Sequence, residues 1–239
     1  AGAASGDLGA VTVDGDAPDL VSVADAGDTA LGVGDTHVIT VTWDEAVVTS
    51  NGALTLGNSA SAVYTSGSGS AAILFTYTVA EGDSTTADLT VTAYTGTIAD
   101  AAGGAAAATG TVDLGTVSVD GAVPVFSSCT ATDAAYGVGE LLTITCTWGE
   151  AVVTANGALT LDNGDSAAYS SGSGSTALVF TTTIAEGDGT DADVAVTAYT
   201  GAIADAAGGA AGAAAYDLGE VSIDGDAPDL VSVADAGDT

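Results

Sequence analysis

The chain contains no lysine and no arginine. Its 239 residues include 32 aspartates and glutamates and a single histidine, so the formal net charge at pH 7 is −32. Without basic side chains the carboxylates cannot be neutralised within the chain, and positive charge has to come from dissolved cations or bound divalent metal. Nucleic acid and anionic membrane surfaces are excluded as partners because they carry the same sign of charge.

Methionine and long apolar runs are also absent. The lack of methionine predicts a processed chain or part of a longer one. No segment reaches the roughly 20 apolar residues that cross a bilayer, and no basic signal-peptide start is present, so we expect no direct membrane insertion. Yet 47% of the residues are hydrophobic, and disorder requires low hydrophobicity as well as charge. With 34 glycines, few aromatics and alternating Val, Ile, Leu and Thr, the composition indicates a folded all-β protein.

An internal repeat organises the chain. Trp43 and Trp148 are 105 residues apart, and VTWDEAVVTSNGALTL at 41–56 returns as CTWGEAVVTANGALTL at 146–161. The segment AYTGTIADAAGG likewise returns as AYTGAIADAAGG. Self-similarity at a fixed period is the signature of tandem modules.

The repeat predicts domain boundaries. We place one domain at 14–119 and a second at 120–223. Residues 1–13 end in DLGAVTV, like the end of each domain, and are predicted to be the last strand of a preceding repeat. The segment 224–239 is identical to 14–29 and is predicted to be the first strand of a following repeat.

Each domain is predicted to be an immunoglobulin-like β-sandwich. Seven strands in about a hundred residues is the count of that fold. Within His37–Trp43, alternation places Ile39, Val41 and Trp43 on one face, so Trp43 is predicted to anchor the core. In the first domain the predicted strands are Leu20–Ala24, His37–Trp43, Ala53–Leu56, Ala62–Thr65, Ala71–Val79, Leu89–Tyr94 and Val112–Val119.

The sequence resembles a known family. The segments YGVGELLTITCTWGEAVV, NGALTLDNGDSAAYSSGSGSTALVFTTTIAEGD, GAIADAAGGAA and VSIDGDAPDL are similar to the tandem bacterial Ig-like repeats of large secreted adhesins and surface proteins. The resemblance covers both domains. It implies extracellular, non-catalytic modules at the cell surface, often rigidified by calcium. The total absence of Lys and Arg departs from the family and indicates adaptation to salt or to a cation-rich surface.

The linkers between domains are candidate calcium sites. The linker DGDAP at 14–18 packs two carboxylates and a turn-forming glycine into five residues, and it looks like the Asp-rich linkers of cadherins. Calcium takes six to eight oxygen ligands, so acids from nearby loops would contribute. In the first repeat the candidates are Asp14, Asp16, Asp28, Glu45, Glu81, Asp83 and Asp100. In the second they are Asp120, Asp133, Glu150, Glu186, Asp188 and Asp205, followed by Asp224 and Asp226.

The alternative is that these acids form only a solvated coat, and the identity of the cation stays open between calcium, magnesium and plain salt. The second linker reads DGAVP, with Ala122 in place of an aspartate. We expect the junction at Asp120 to bind metal more weakly than the one at Asp224 and Asp226.

The histidine and the two cysteines complete the candidate list. His37 has Leu142 at the matching position, so a Ser-His-Asp triad has no support and we expect no enzymatic activity. We interpret His37 as a solvent-side strand residue. Cys129 and Cys146 are 17 residues apart on the first two strands of the second domain, where the first domain is taken to have Ala24 and Val41. An even pair in an extracellular protein favours a disulfide, with two buried thiols as the alternative.

Two functions fit these features. The leading hypothesis is a structural repeat of an extracellular filament or adhesin stalk, whose partners are homologous repeats arranged head to tail, in the same giant chain or in subunits joined by strand exchange. The rival is a glycan- or surface-binding module of a secreted protein.

Overall fold

Alternating apolar and polar residues form β-strands throughout the part of the chain that the computed structural model describes, residues 14–27, 29–107, 110–132, 134–212 and 215–229. The chain divides into two compact units, Ala1–Ala122 and Val123–Thr239. No helix among the described residues is long and apolar enough to cross a membrane. The prediction of an all-β protein is confirmed.

Nine strands lie in the described part of the first unit. They are β1 (Leu20–Asp25), β2 (Ala30–Leu31), β3 (Thr36–Val47), β4 (Ala53–Leu56), β5 (Ser61–Ser66), β6 (Ser70–Thr78), β7 (Thr90–Thr95), β8 (Val112–Asp113) and β9 (Ser118–Val119). Seven of them form one antiparallel sheet in the order β1-β3-β6-β5-β4-β7-β8, while β2 and β9 pair in parallel.

The second unit repeats this arrangement. Its strands are β10 (Phe126–Thr130), β11 (Ala135–Gly137), β12 (Leu141–Val152), β13 (Ala158–Leu161), β14 (Ser166–Ser171), β15 (Ser175–Thr183), β16 (Ala195–Thr200), β17 (Tyr216–Asp217) and β18 (Ser222–Asp224). The seven-stranded order is β10-β12-β15-β14-β13-β16-β17, and β11 pairs in parallel with β18.

The strand predicted over Val112–Val119 is interrupted and becomes β8 and β9. The Asp113 Oδ1 atom accepts a hydrogen bond of 2.8 Å from the Gly115 backbone N–H, and Gly115 has a φ of 83°. This left-handed conformation suits glycine and turns the chain away from the sheet. The apolar residues of this segment predict one continuous strand and do not indicate the turn.

Strand β3 carries the centre of the first core. Ile39, Val41 and Trp43 are at most 2% exposed, as the alternation predicts, and they pack with Phe75 of β6. The equivalent Trp148 is 5% exposed in the second unit. Both tryptophans are therefore core residues, and the prediction that Trp43 anchors the core is confirmed.

His37 is not a solvent-side residue, so that interpretation is wrong. Its side chain shares the inward face of β3 with Ile39 and is 3% exposed. The Nε2 atom lies 2.9 Å from the Asp25 Oδ2 atom, within hydrogen-bonding distance. A buried imidazole is tolerated here because the edge strand β1 supplies a carboxylate partner.

A disulfide joins Cys129 of β10 to Cys146 of β12, directly opposite in the antiparallel register. In the first unit the residue opposite Val41 is Val23, whereas Ala24 lies opposite Thr40 and is exposed. The equivalence of Cys129 with Ala24 is therefore wrong by one residue. The correct counterpart is Val23, which packs against the core.

Candidate metal centre

Three carboxylates from separate parts of the first unit come together. Asp14 precedes β1, Glu45 lies near the end of β3, and Asp100 lies in the loop after β7. One carboxylate oxygen from each residue lies within 4.8 Å of the others. Asp14 is exposed, Glu45 is half-buried and Asp100 is only 4% exposed.

The loop after β7 orients Asp100. The Asp100 Oδ1 atom accepts hydrogen bonds from the backbone N–H groups of Ala102 (2.7 Å) and Gly104 (2.9 Å). The Asp100 backbone N–H donates in turn to the Gly104 carbonyl at 3.0 Å. One carboxylate oxygen is thus anchored within its own loop, and the other is available to the cluster.

Gly104 is required at this place by close packing. A Cβ atom at Gly104 would collide with the Asp100 Oδ2 atom and would lie 3.2 Å from the main-chain oxygen of Asp16. The Asp16 carbonyl oxygen and the Asp100 carboxylate therefore border the same point. The linker contributes a main-chain oxygen to this region in addition to the Asp14 carboxylate.

The electrostatic environment of Glu45 is strongly negative. Its pKa is raised by partial burial and, in decreasing order, by the charges of Asp14, Asp100, Asp44 and Asp16. The negative charges of these four neighbouring carboxylates make this place favourable for positive charge. With no lysine or arginine in the chain, that charge is a proton or a cation from solution.

The dimensions of the cluster fit calcium. Calcium binds oxygen at 2.3–2.6 Å, so two oxygens on one ion are at most about 5 Å apart. The separations in the cluster of Asp14, Glu45 and Asp100 meet this limit. Three carboxylates and the nearby Asp16 carbonyl would supply four oxygens, and water would complete a shell of six to eight.

In the second unit, Asp205 and Glu150 stand at the sequence positions of Asp100 and Glu45. The Asp205 Oδ1 atom accepts backbone hydrogen bonds from Ala207 (2.8 Å) and Gly209 (2.9 Å), as Asp100 does in its own loop. Asp205 is 5% exposed, and its Oδ2 atom has no hydrogen-bond partner within the described part of the chain. Leaving a buried carboxylate oxygen unpaired is costly, and a bound cation would remove that cost.

Asp83 is not part of the cluster and instead accepts hydrogen bonds from nearby residues. Its Oδ2 atom accepts hydrogen bonds from the Tyr77 hydroxyl (2.7 Å) and the Ala80 backbone N–H (2.9 Å). Burial, followed by the hydrogen bond to Asp83, raises the pKa of Tyr77 to about 12. Glu81, also a candidate ligand, is exposed at the turn beside it.

Several of the other candidate ligands accept hydrogen bonds. Asp120, in the first unit, accepts from the Thr85 hydroxyl and the Ala122 N–H. In the second unit, Glu186 accepts from the Ala227 N–H, Asp188 from the Ala185 N–H, and Asp224 from the N–H of exposed Asp226. Asp28 and Asp133, together with the strands predicted in 1–13 and after Asp229, lie outside the described residues.

Sequence reasoning proposed all three carboxylates of the cluster but missed Gly104 and the Asp16 carbonyl. The pair Gly103-Gly104, repeated as Gly208-Gly209, was the available signal. Two adjacent glycines after a conspicuous Asp-Ala-Ala indicate a loop in which backbone approaches a carboxylate closely.

No family model matches the chain, and a search of the curated proteins finds no match.

Proposed function

We propose that the chain is a segment of tandem Ig-like repeats from an extracellular filament or adhesin stalk, arranged head to tail and rigidified by calcium at the linkers. The role is mechanical and non-catalytic, and its partners are identical or homologous repeats. The observation that carries the proposal is the junction of Asp14, from the linker, with Glu45 and Asp100 of the body of the unit.

The strand order supports an Ig-like sandwich. In that fold one sheet has the order A-B-E-D and the other contains C, F and G. The seven strands of the sheet in the first unit can be lettered A to G in chain order, leaving out β2 and β9. The order of the strands within the sheet is then A-B-E-D-C-F-G. The two halves are joined by the β4–β5 hairpin, and the inward residues of both fill one core.

The position of the cluster supports a mechanical role for the metal. Asp14 is exposed, is followed by Gly15 and lies six residues before β1, outside the sheet. An ion bound jointly by Asp14, Glu45 and Asp100 would fix the linker to the sandwich. Fixing the linker restricts bending at the place where the chain enters the unit.

Calcium binding is tested by calorimetric titration of the chain and of two matched variants. Glu45→Gln removes one charge from the cluster, whereas Glu81→Gln removes the same charge from an exposed turn. Wild type and Glu81→Gln are expected to bind calcium alike, and Glu45→Gln should bind at least tenfold more weakly in the first unit. At a free calcium concentration of 100 times Kd, binding raises the free energy of unfolding by about 2.7 kcal/mol.

Absence of calcium binding by the wild type, or equal loss in both variants, contradicts the metal site. The filament is tested separately by light scattering on the native protein with calcium and with chelator. A large, elongated particle whose stiffness falls on chelation is expected. A small free monomer that is unchanged by chelation contradicts the filament even if calcium binds.

A further inference from the structure

A groove of about 600 Å³ lies beside the loops of the first unit, and none of its lining residues belongs to the carboxylate cluster. The loop between β3 and β4 contributes Ser50 and Asn51, the turn between β5 and β6 contributes Ser68, and the segment after β7 contributes Thr97. Its volume is in the range of ligand-binding clefts. Since these are three separate loops, the groove is a product of the fold and not of one segment.

The groove is free of charge in a chain whose net charge is −32. None of its lining residues is acidic, and no Asp or Glu occurs in 46–80 or in 89–99, the segments that form it. Anionic ligands are repelled by the rest of the molecule, and cations find better partners at the carboxylates elsewhere. The groove therefore favours a neutral ligand.

Several polar groups in the groove are available to a ligand. The side chains of Ser50, Asn51 and Thr97 are exposed, and no hydrogen bond joins them to other side chains or to the backbone among the described residues. A hydroxyl group both donates and accepts, and an amide offers two donors and an acceptor. Beside them Val48, 43% exposed, and Ala99 provide a small apolar surface.

The walls of the groove are held rigidly. The Asn51 carbonyl accepts hydrogen bonds from the Thr49 hydroxyl (2.7 Å) and the Tyr94 hydroxyl (3.0 Å). The Thr49 backbone N–H donates to the Ser68 hydroxyl at 2.9 Å. Gly52 has a φ of 131°, and a Cβ atom there would collide with the Tyr94 hydroxyl. Rigid walls reduce the entropy that binding would cost.

We propose that this groove binds a neutral oligosaccharide. Sugars present the same mixture of groups as the groove: hydroxyls that pair with Ser50, Asn51 and Thr97, and C–H faces that pack on Val48. Binding of this kind is independent of the calcium role proposed above and would make the unit a recognition surface as well as a spacer.

The second unit provides a natural comparison. At the matching positions it keeps Asn156 and Ser173 but has Ala155 in place of Ser50 and Ala202 in place of Thr97. Two hydroxyls are therefore lost. We expect the second unit to bind the same ligand more weakly.

The test is NMR titration of the whole chain with maltotriose, cellotriose and mannotriose, each up to 20 mM. The chain contains four asparagines and no glutamine, so it has only four side-chain amide signals. The Asn51 signal should shift saturably with at least one sugar, and the Asn156 signal should shift less. Buried Asn58, bonded to the Tyr77 hydroxyl at 3.0 Å, should not move.

A paired substitution locates the site. Ser50→Ala with Thr97→Ala reproduces the lining of the second unit and should weaken binding at Asn51 by roughly tenfold. The control, Ser61→Ala with Thr78→Ala, removes two exposed hydroxyls from strands outside the groove and should leave binding unchanged. The proposal is overturned if no trisaccharide gives a saturable Asn51 shift, if glycerol gives the same shift, or if both double variants behave alike.

Discussion

The buried hydrogen bond between His37 and Asp25 tests how the first unit accommodates polarity in its core. Asp25→Ala leaves the imidazole without its hydrogen-bond partner and is expected to lower the free energy of unfolding by about 2 kcal/mol. The second unit has Ala131 and Leu142 at the two matching positions. Adding His37→Leu to Asp25→Ala copies that apolar arrangement and should restore most of the loss. Urea unfolding followed by amide signals of the first unit measures both effects.

Equal stability of the Asp25→Ala variant and the wild type would show that the pair contributes nothing. The burial of His37 could be predicted from the sequence, because the alternation that buries Ile39 and Val41 also points His37 inward. The opposite prediction did not apply this alternation to His37. The partner could not be recognised, because Asp25 is twelve residues away and is brought near only by strand pairing.

The same limit applies to the candidate metal ligands. The repeat and the linker composition were sufficient to propose Asp14, Glu45 and Asp100, but they proposed Glu81 and Asp83 on equal terms. Only the folded geometry separates the three clustered carboxylates from Asp83, which bonds Tyr77. Distances between residues from different loops are tertiary information, and neither spacing nor composition contains them.

At the scale of strands, the alternation of apolar and polar residues predicted the positions of the strands well. It predicted their ends and their pairing less well. The strands around Ile39 and Phe75 were found because hydrophobic alternation is strong there. The two-residue strand β2 was missed because two residues show no alternation. The misalignment of Cys129 with Ala24 arose because the first strand of the two units is offset by 106 residues, whereas the tryptophans are offset by 105. An offset of one residue reverses the face of a strand.

The disulfide between β10 and β12 permits a matched substitution at this scale. Cys129→Val with Cys146→Val copies the Val23 and Val41 pair of the first unit, so the core stays filled while the covalent link is lost. The free energy of unfolding of the second unit should fall by about 3 kcal/mol, as expected for closing a loop of this length. Calorimetry of the oxidised, the reduced and the doubly substituted protein measures the change.

Reduced wild type and the valine variant should have similar stability, and the first unit should be unaffected in both. If the valine variant were as stable as the oxidised wild type, the link would contribute nothing to stability. A stabilising link at this edge pair suits a role in which strands are pulled, because β10 is at the edge of its sheet.

At the scale of the whole chain, the distribution of charge decides the response to salt. Apart from His37 with Asp25, interactions between charged side chains in the described residues are repulsions between carboxylates. Screening therefore removes mostly unfavourable energy, in contrast to proteins whose surface ion pairs are weakened by salt. Raising NaCl from 0.05 to 2 M should raise the free energy of unfolding by about 2 kcal/mol per unit, a shift in Tm of roughly 10 °C.

The control is the same experiment near pH 3, about one unit below the ordinary pKa values of aspartate and glutamate. Many carboxylates are protonated there, so repulsion is small and NaCl should change Tm much less. A salt effect that is equally large at both pH values would be due to general salting-out of apolar surface and not to screening. A Tm that falls with NaCl at pH 7 would mean that attractive charge interactions dominate, which contradicts the assignment of the carboxylates as mutually repelling groups that depend on cations from solution.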